Sequence, residues 1–182
     1  MKVTAAILGL ALGSTASSHR LDEYLQATIF SLHKDSVRAT MLLMPGTAVF
    51  SRVIVRIDKN GDGTITDAEG RAYGESVLRD LLLSVDGKRL KPRLCSFKFP
   101  EIGEMKKGQG NIELKFEAAV SDGSESRKLI FENRHQKAIG AYLVNCLVPN
   151  DPALRVGSQF RNYTQSRYEL DYVQSAMPVG TG

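Results

Sequence analysis

The chain has 182 residues, with 24 Lys+Arg against 20 Asp+Glu for a formal charge of +4, and 42% of its residues are hydrophobic. That length holds one ordinary domain or at most two small ones, and the apolar content can build a core, which excludes disorder over the whole chain. The basic excess is small and scattered, which argues against nucleic acid as a partner, and no apolar run reaches the roughly 18 residues that span a membrane.

Lys2 precedes an apolar run, Val3 to Leu12, that Gly13, Ser14 and Thr15 interrupt. The run is too short to span a bilayer and fits the apolar stretch of a secretory signal. Ala16 and Ser18 put small residues at the two positions that a signal peptidase reads, so residues 1–18 are expected to be a signal peptide cleaved before His19. The mature chain would then be secreted or periplasmic, without a transmembrane segment. A single domain is expected over 19–176, followed by a flexible tail at 177–182.

From Tyr24 the pattern alternates. YLQATIFSLH and VRATMLLM, joined by Lys34-Asp35-Ser36, read as a β-hairpin that Pro45-Gly46 ends. Val49, Phe50, Val53, Ile54 and Ile57 then recur at helical spacing. A second helix is expected from about Asp67 to Leu83, with Tyr73, Val77, Leu78 and Leu81 on one face and Arg71, Glu75 and Arg79 on another. This pair forms an insertion over 48–83.

The remainder reads as strands. Asp86-Gly87 supplies a tight hairpin turn. RLCSFKF, GNIELKFEAAV, SRKLIFEN, GAYLVNCLV and SRYELDYV alternate between punctuating clusters of Gly, Pro, Asn, Asp and Ser. The fold class expected is α+β: mainly an antiparallel, immunoglobulin-like β-sandwich with an inserted helix–loop–helix. Cys95 and Cys146 each fall in a strand. In an exported chain they could form one disulfide or remain two buried thiols, and spacing does not decide between these.

Between the two helices runs DKNGDGTITDAE, Asp58 to Glu69. It satisfies the twelve-residue pattern D-x-[DN]-x-[DN]-G-x5-E at every constrained position, and so resembles the EF-hand calcium-binding family. The resemblance implies a Ca²⁺ site, because the ion is hard and takes six to eight oxygens. Asp58, Asn60 and Asp62 would supply side-chain oxygens, Thr64 its carbonyl, Thr66 its hydroxyl or a bridging water, and Glu69 a bidentate carboxylate. Gly63 permits the sharp turn, and Asp67 is read as an acid capping the helix rather than a ligand. A plain acidic turn would not need this whole set. No second such loop exists, so Ile65, which in paired EF-hands meets its counterpart, must pack on the sandwich or on another protomer. Only residues 48–83 carry the likeness.

Other signals are weaker. His19 at a mature N-terminus could chelate Cu²⁺ or Ni²⁺, with His135 completing the site. The short segment HRLDEYLQ also resembles the start of exported domains that precede some nickel/cobalt permeases of the hydrogenase–urease accessory type. A transition-metal handling domain is therefore the alternative reading. Tyr163, Tyr168 and Tyr172 near Arg161 and Arg167 read as a half-buried sheet face rather than a base-stacking platform. No hydrolase, zinc-protease, dithiol or nucleotide-binding motif occurs, so a non-enzymatic calcium-binding or interaction module is expected, its protein partner unspecified.

Overall fold

The structure, a computed structural model, describes residues 21–175. The expected signal segment, the expected tail and His19 lie outside the described residues. Strands β1 (Tyr24–Leu32) and β2 (Ser36–Pro45) form the hairpin, in register from Tyr24↔Pro45 to Leu32↔Val37. Helices α1 (Phe50–Ile57) and α2 (Asp67–Arg79) follow. Then come β3 (Leu81–Val85), β4 (Lys88–Arg89), β5 (Arg93–Lys98), the short α3 (Ile102–Lys106) and β6 (Ile112–Ala119). Strands β7 (Ser126–Asn133), β8 (Gly140–Cys146), β9 (Leu154–Arg161) and β10 (Arg167–Gln174) complete the described chain.

Two five-stranded sheets result, ordered β5-β6-β2-β1-β8 and β4-β3-β7-β10-β9. Their alternating residues put Phe30, Met41, Leu43, Leu114 and Phe116 of the first into one core with Leu83, Leu129, Phe131 and Leu170 of the second. Phe30 meets Phe131 edge-on at 5.0 Å and stacks parallel to Tyr168 at 6.3 Å, so aromatic contacts join the layers. The arrangement is compatible with a β-sandwich. Among the described residues, no helix is long and apolar enough to cross a membrane.

Helix α2 packs against β5, a border of the first sheet, and against β3, which lies beside the two-residue border strand β4 of the second. It can lie close because Gly70 and Gly74 occur one turn apart on its inner face. A Cβ at Gly70 would come within 2.8 Å of Phe97, and one at Gly74 within 2.8 Å of Leu94. The Asp86-Gly87 turn forms as expected, both residues having positive φ (52° and 75°), which suits the right-handed twist of a two-residue hairpin.

Several expectations are corrected. The second helix stops at Arg79 rather than Leu83: the N–H of Asp80 turns back to the carbonyls of Val77 and Leu78, and Leu81–Val85 pairs with β7 instead. The three leucines after Asp80 prolong an apolar helical face only on paper. The sheets are mainly antiparallel, as expected, with one parallel pairing, β1 with β8, from Tyr24↔Gly140 to Phe30↔Cys146. Strand β9 was not expected, nor was α3. Cys95 and Cys146 are free thiols, because β5 and β8 are the opposite borders of one sheet, with Cys95 exposed and Cys146 buried. Burial pushes the Cys146 thiol up to about 11. Tyr163 is fully exposed in the turn before β10, whereas Tyr168 and Tyr172 are buried, so these three tyrosines share no face.

Candidate metal centre

Helix α1 ends where Asp58 takes an extended conformation, and the loop then folds over its own backbone. The Asp58 carboxylate accepts from the N–H of Gly61 (2.8 Å) and of Gly63 (3.0 Å). Asn60 Oδ1 accepts from Asp62 N–H (3.0 Å), and Asp62 Oδ1 accepts from Thr64 N–H (2.8 Å). The Asn60 amide donates to Asp62 Oδ2 at 2.8 Å. These short-range bonds explain why Asp and Asn recur at alternate positions: each side chain replaces a turn hydrogen bond that the backbone cannot make. Gly61 and Gly63 hold φ of 71° and 82°, the left-handed region where a Cβ is strained even though space is open around both.

The exit from the loop is a complete capping box. Thr66 Oγ1 accepts from Glu69 N–H (3.3 Å), while Glu69 Oε2 accepts from Thr66 N–H (3.1 Å) and from the Thr66 hydroxyl (2.8 Å). The other carboxylate oxygen, Glu69 Oε1, reaches back across the loop to Lys59 N–H at 2.8 Å. Position 12 of the motif is therefore turned toward position 2, beside Asp58. These bonds, led by the Thr66 N–H, hold the Glu69 carboxyl down at about 2. It is an anion at any pH near neutrality. Thr66 is the N-cap, and Asp67, the first residue of the helix, is an acid in its first turn, where it favours the helix dipole. Ile65 is half-buried and packs on the core of its own chain.

Of the residues expected to ligate, Asp58, Asn60 and Asp62 are linked through adjoining turns, and Thr66 and Glu69 through the cap. Thr64 contributes its N–H to the same network. Every donor in the set is a hard oxygen, and the loop is exposed along most of its length, which suits a cation exchanging with solvent. What the fold does not do is converge the carboxylates. Among the described residues, no group of three or more His, Cys, Asp or Glu is gathered closely enough to hold a metal ion. The carboxylates instead bind loop N–H groups.

The other end of α2 carries a site that sequence reasoning missed. His135, three per cent exposed, lies just after β7, and its Nδ1 is 2.7 Å from Asp80 Oδ2. Its Nε2 is 3.2 Å from the hydroxyl of Tyr73, which lies 2.6 Å from the hydroxyl of Tyr24. With a carboxylate on Nδ1, that nitrogen carries the proton, Nε2 accepts from Tyr73, and Tyr73 accepts from Tyr24. Around this line, Gln26 and Tyr142 donate to the His135 carbonyl, and Asn133 binds Gln26 and the His135 N–H.

Burial lowers the His135 pKa more than Asp80 raises it, because that carboxylate is half-exposed and screened by water. Burial pushes Tyr73 up to about 12 and raises Tyr24 well above its ordinary value. Both ring nitrogens of His135 are thus engaged inside the protein, and His19, the other residue of the expected transition-metal site, lies outside the described residues.

No protein-family model, no curated protein and no solved structure matches this chain.

Proposed function

We propose that the chain is an exported, non-enzymatic calcium-binding module, its helix–loop–helix an EF-hand-like insertion between two strands of an immunoglobulin-like sandwich. The observation that carries the reading is the back-reach of Glu69. A full EF-hand motif could sit in a loop whose last acid points away, and here that acid closes onto the residue after Asp58. Asp58, Asn60, Asp62, the Thr64 carbonyl, Thr66 and Glu69 would hold Ca²⁺. When bound, the ion would supply positive charge to the carboxylates of Asp58, Asp62 and Glu69 and a tie between the end of α1 and the start of α2.

The role is structural rather than regulatory, since calcium is plentiful outside the cytoplasm and the loop is already shaped by its own hydrogen bonds. With three carboxylates and a threonine at position 9, affinity belongs in the range of about 10⁻⁵ to 10⁻³ M seen for weak sensors and extracellular modules. Isothermal titration of the purified protein with CaCl₂ tests this. Saturable heat at one ion per chain is expected, lost in Asp58→Ala and weakened at least tenfold in Glu69→Gln, which keeps a capping acceptor but not the charge. Absence of calcium binding, or binding that survives both substitutions, overturns the reading.

A further inference from the structure

The hydrogen bonds around His135 run in one direction. Tyr24 donates to Tyr73, Tyr73 donates to Nε2, and the Nδ1–H donates to Asp80. A neutral imidazole offers one acceptor, and the groups beside that acceptor are donors: the Gln136 amide nitrogen, 3.5 Å from Nε2, is one, like the Tyr73 hydroxyl. At its far end the line has no slack. Tyr24 is wholly buried, and among the described residues its hydroxyl has no hydrogen-bond partner but Tyr73.

The ring sits where a turn meets the helix. The turn over 134–139 joins β7 to β8. Its Arg134 N–H binds the Asp80 carbonyl (3.1 Å), and its Ile139 carbonyl accepts from the Tyr24 N–H (2.6 Å). Gln136 is held at a φ of 47°, a left-handed conformation that a residue with a side chain keeps only when its surroundings impose it. The turn leads into Gly140 and Tyr142, which help line a depression of about 740 Å³, so whatever moves the turn reshapes that wall.

We propose that His135 is an acid-operated latch: a second ring proton, taken from solvent, reverses the line and releases the 134–139 turn from the end of α2, while the two-sheet core stays closed. Once protonated, Nε2 is a donor and faces the Tyr73 oxygen at 3.2 Å. Tyr73 then accepts from it, and the Tyr73 proton must turn to Tyr24. The Tyr24 proton is left in the core without an acceptor. A donor orphaned in an apolar interior keeps its whole desolvation penalty, and withdrawing the ring from its pocket relieves it.

The neighbouring groups set the range. Burial disfavours the cation, Asp80 favours it and Arg56 of α1 disfavours it, so the ring stays neutral until the pH falls below histidine's ordinary 6.5. On the turn itself, Arg134 pairs with Glu132, which Lys137 also attracts. From β1, β7 and β8 the groups in contact are Tyr24, Gln26, Asn133 and Tyr142, all neutral in this range. The latch stands apart from the calcium reading.

Two measurements on the purified protein test it. Nitrogen NMR of the histidine rings at about pH 7.5 should find the His135 proton on Nδ1. Amide hydrogen exchange, corrected for the intrinsic effect of pH, should show residues 73–80 and 134–139 opening about tenfold or more often at about pH 5 than at about pH 7.5, with β2 and β6 unchanged. His33→Gln, which removes the other histidine of the described chain, should keep this acid opening. His135→Gln, whose side chain takes no proton, should lose it. Asp80→Asn, which keeps an acceptor for Nδ1–H but not the charge that favours the cation, should move the opening to lower pH, and it decides the matter if His135→Gln does not fold. A bare Nδ1 at about pH 7.5 overturns the proposal, as does equal exchange at the two pH values. So does an acid opening that persists in His135→Gln, ignores Asp80→Asn, or spreads evenly through β2 and β6.

Discussion

Helix α2 has a polar network at each end, and the two are opposites. At its start, Thr66 and Glu69 satisfy one another and the loop in full exposure, through partners no more than ten residues apart. At its far end, Tyr73 and Asp80 meet Tyr24 and His135 across separations of 49 to 62 residues, with Tyr24, Tyr73 and His135 buried. An exposed network is cheap to break, since water replaces each lost partner. A buried one is costly to break, since an orphaned hydroxyl or imidazole keeps its desolvation penalty. The helix is thus anchored to the core by its C-terminal half and leaves its N-terminal turn available to a ligand.

That contrast can be broken or sharpened experimentally. The largest effect expected is from calcium itself: at a free concentration about one hundred times its dissociation constant, the protein should gain about 2.7 kcal/mol over the same protein in chelator, read as a shift of its denaturation midpoint. No shift would mean that the exposed end binds nothing. Next comes Tyr73→Phe, which strands the Tyr24 hydroxyl and His135 Nε2 and should cost about 2 kcal/mol in urea unfolding. Its calcium titration should stay within a factor of three of the parent, and a larger change would show that the two ends are coupled. Thr66→Ala removes the capping hydroxyl at the exposed end and should cost only about 1 kcal/mol.

The smallest effects are in pH dependence, and the two ends act in different windows. His135 is held below its ordinary value of 6.5, so the folded state resists its protonation. Its contribution is whole above that value and declines as the pH falls below it. Glu69 is held at about 2 against an ordinary 4.5, so its contribution is whole above 4.5 and is lost as the pH falls from there toward 2. Unfolding measured against pH should therefore lose the upper step in His135→Gln and the lower step in Glu69→Gln. A variant that removed both steps would merge what the structure keeps apart.

The same contrast separates what could be read in the chain from what could not. The β1–β2 hairpin, the Asp86-Gly87 turn and the loop from Asp58 to Glu69 are local: spacing alone specifies them, because the partners are a few residues away. The His135 network is not local. Nothing in ENRHQ distinguishes a buried histidine from a loop histidine until β7 and α2 bring Asp80 and Tyr73 to it. Strand β9 was invisible for another reason. LRVGSQFR lies on a sheet border, buries little beyond Leu154 and contains Gly157, so it has none of the alternation that marks a strand with one covered face. The parallel pairing of β1 with β8 depends on which strands become neighbours, and strand patterns do not encode that.

The two long sides of the layered core are closed by unequal means. Along β5 and β3 a whole helix lies in the gap. Along β8 and β9 a single guanidinium does much of the joining: Arg161 Nε donates to the Val144 carbonyl at 2.8 Å, a terminal nitrogen reaches Asn145 Oδ1 at 3.1 Å, and the group sits 4.9 Å over the Tyr168 ring. The two-sheet core therefore works like a book with a spine on one side and a clasp on the other. Thermal opening should begin at the clasp, admitting solvent to Cys146 and Tyr168 while the helix-bound margin stays shut.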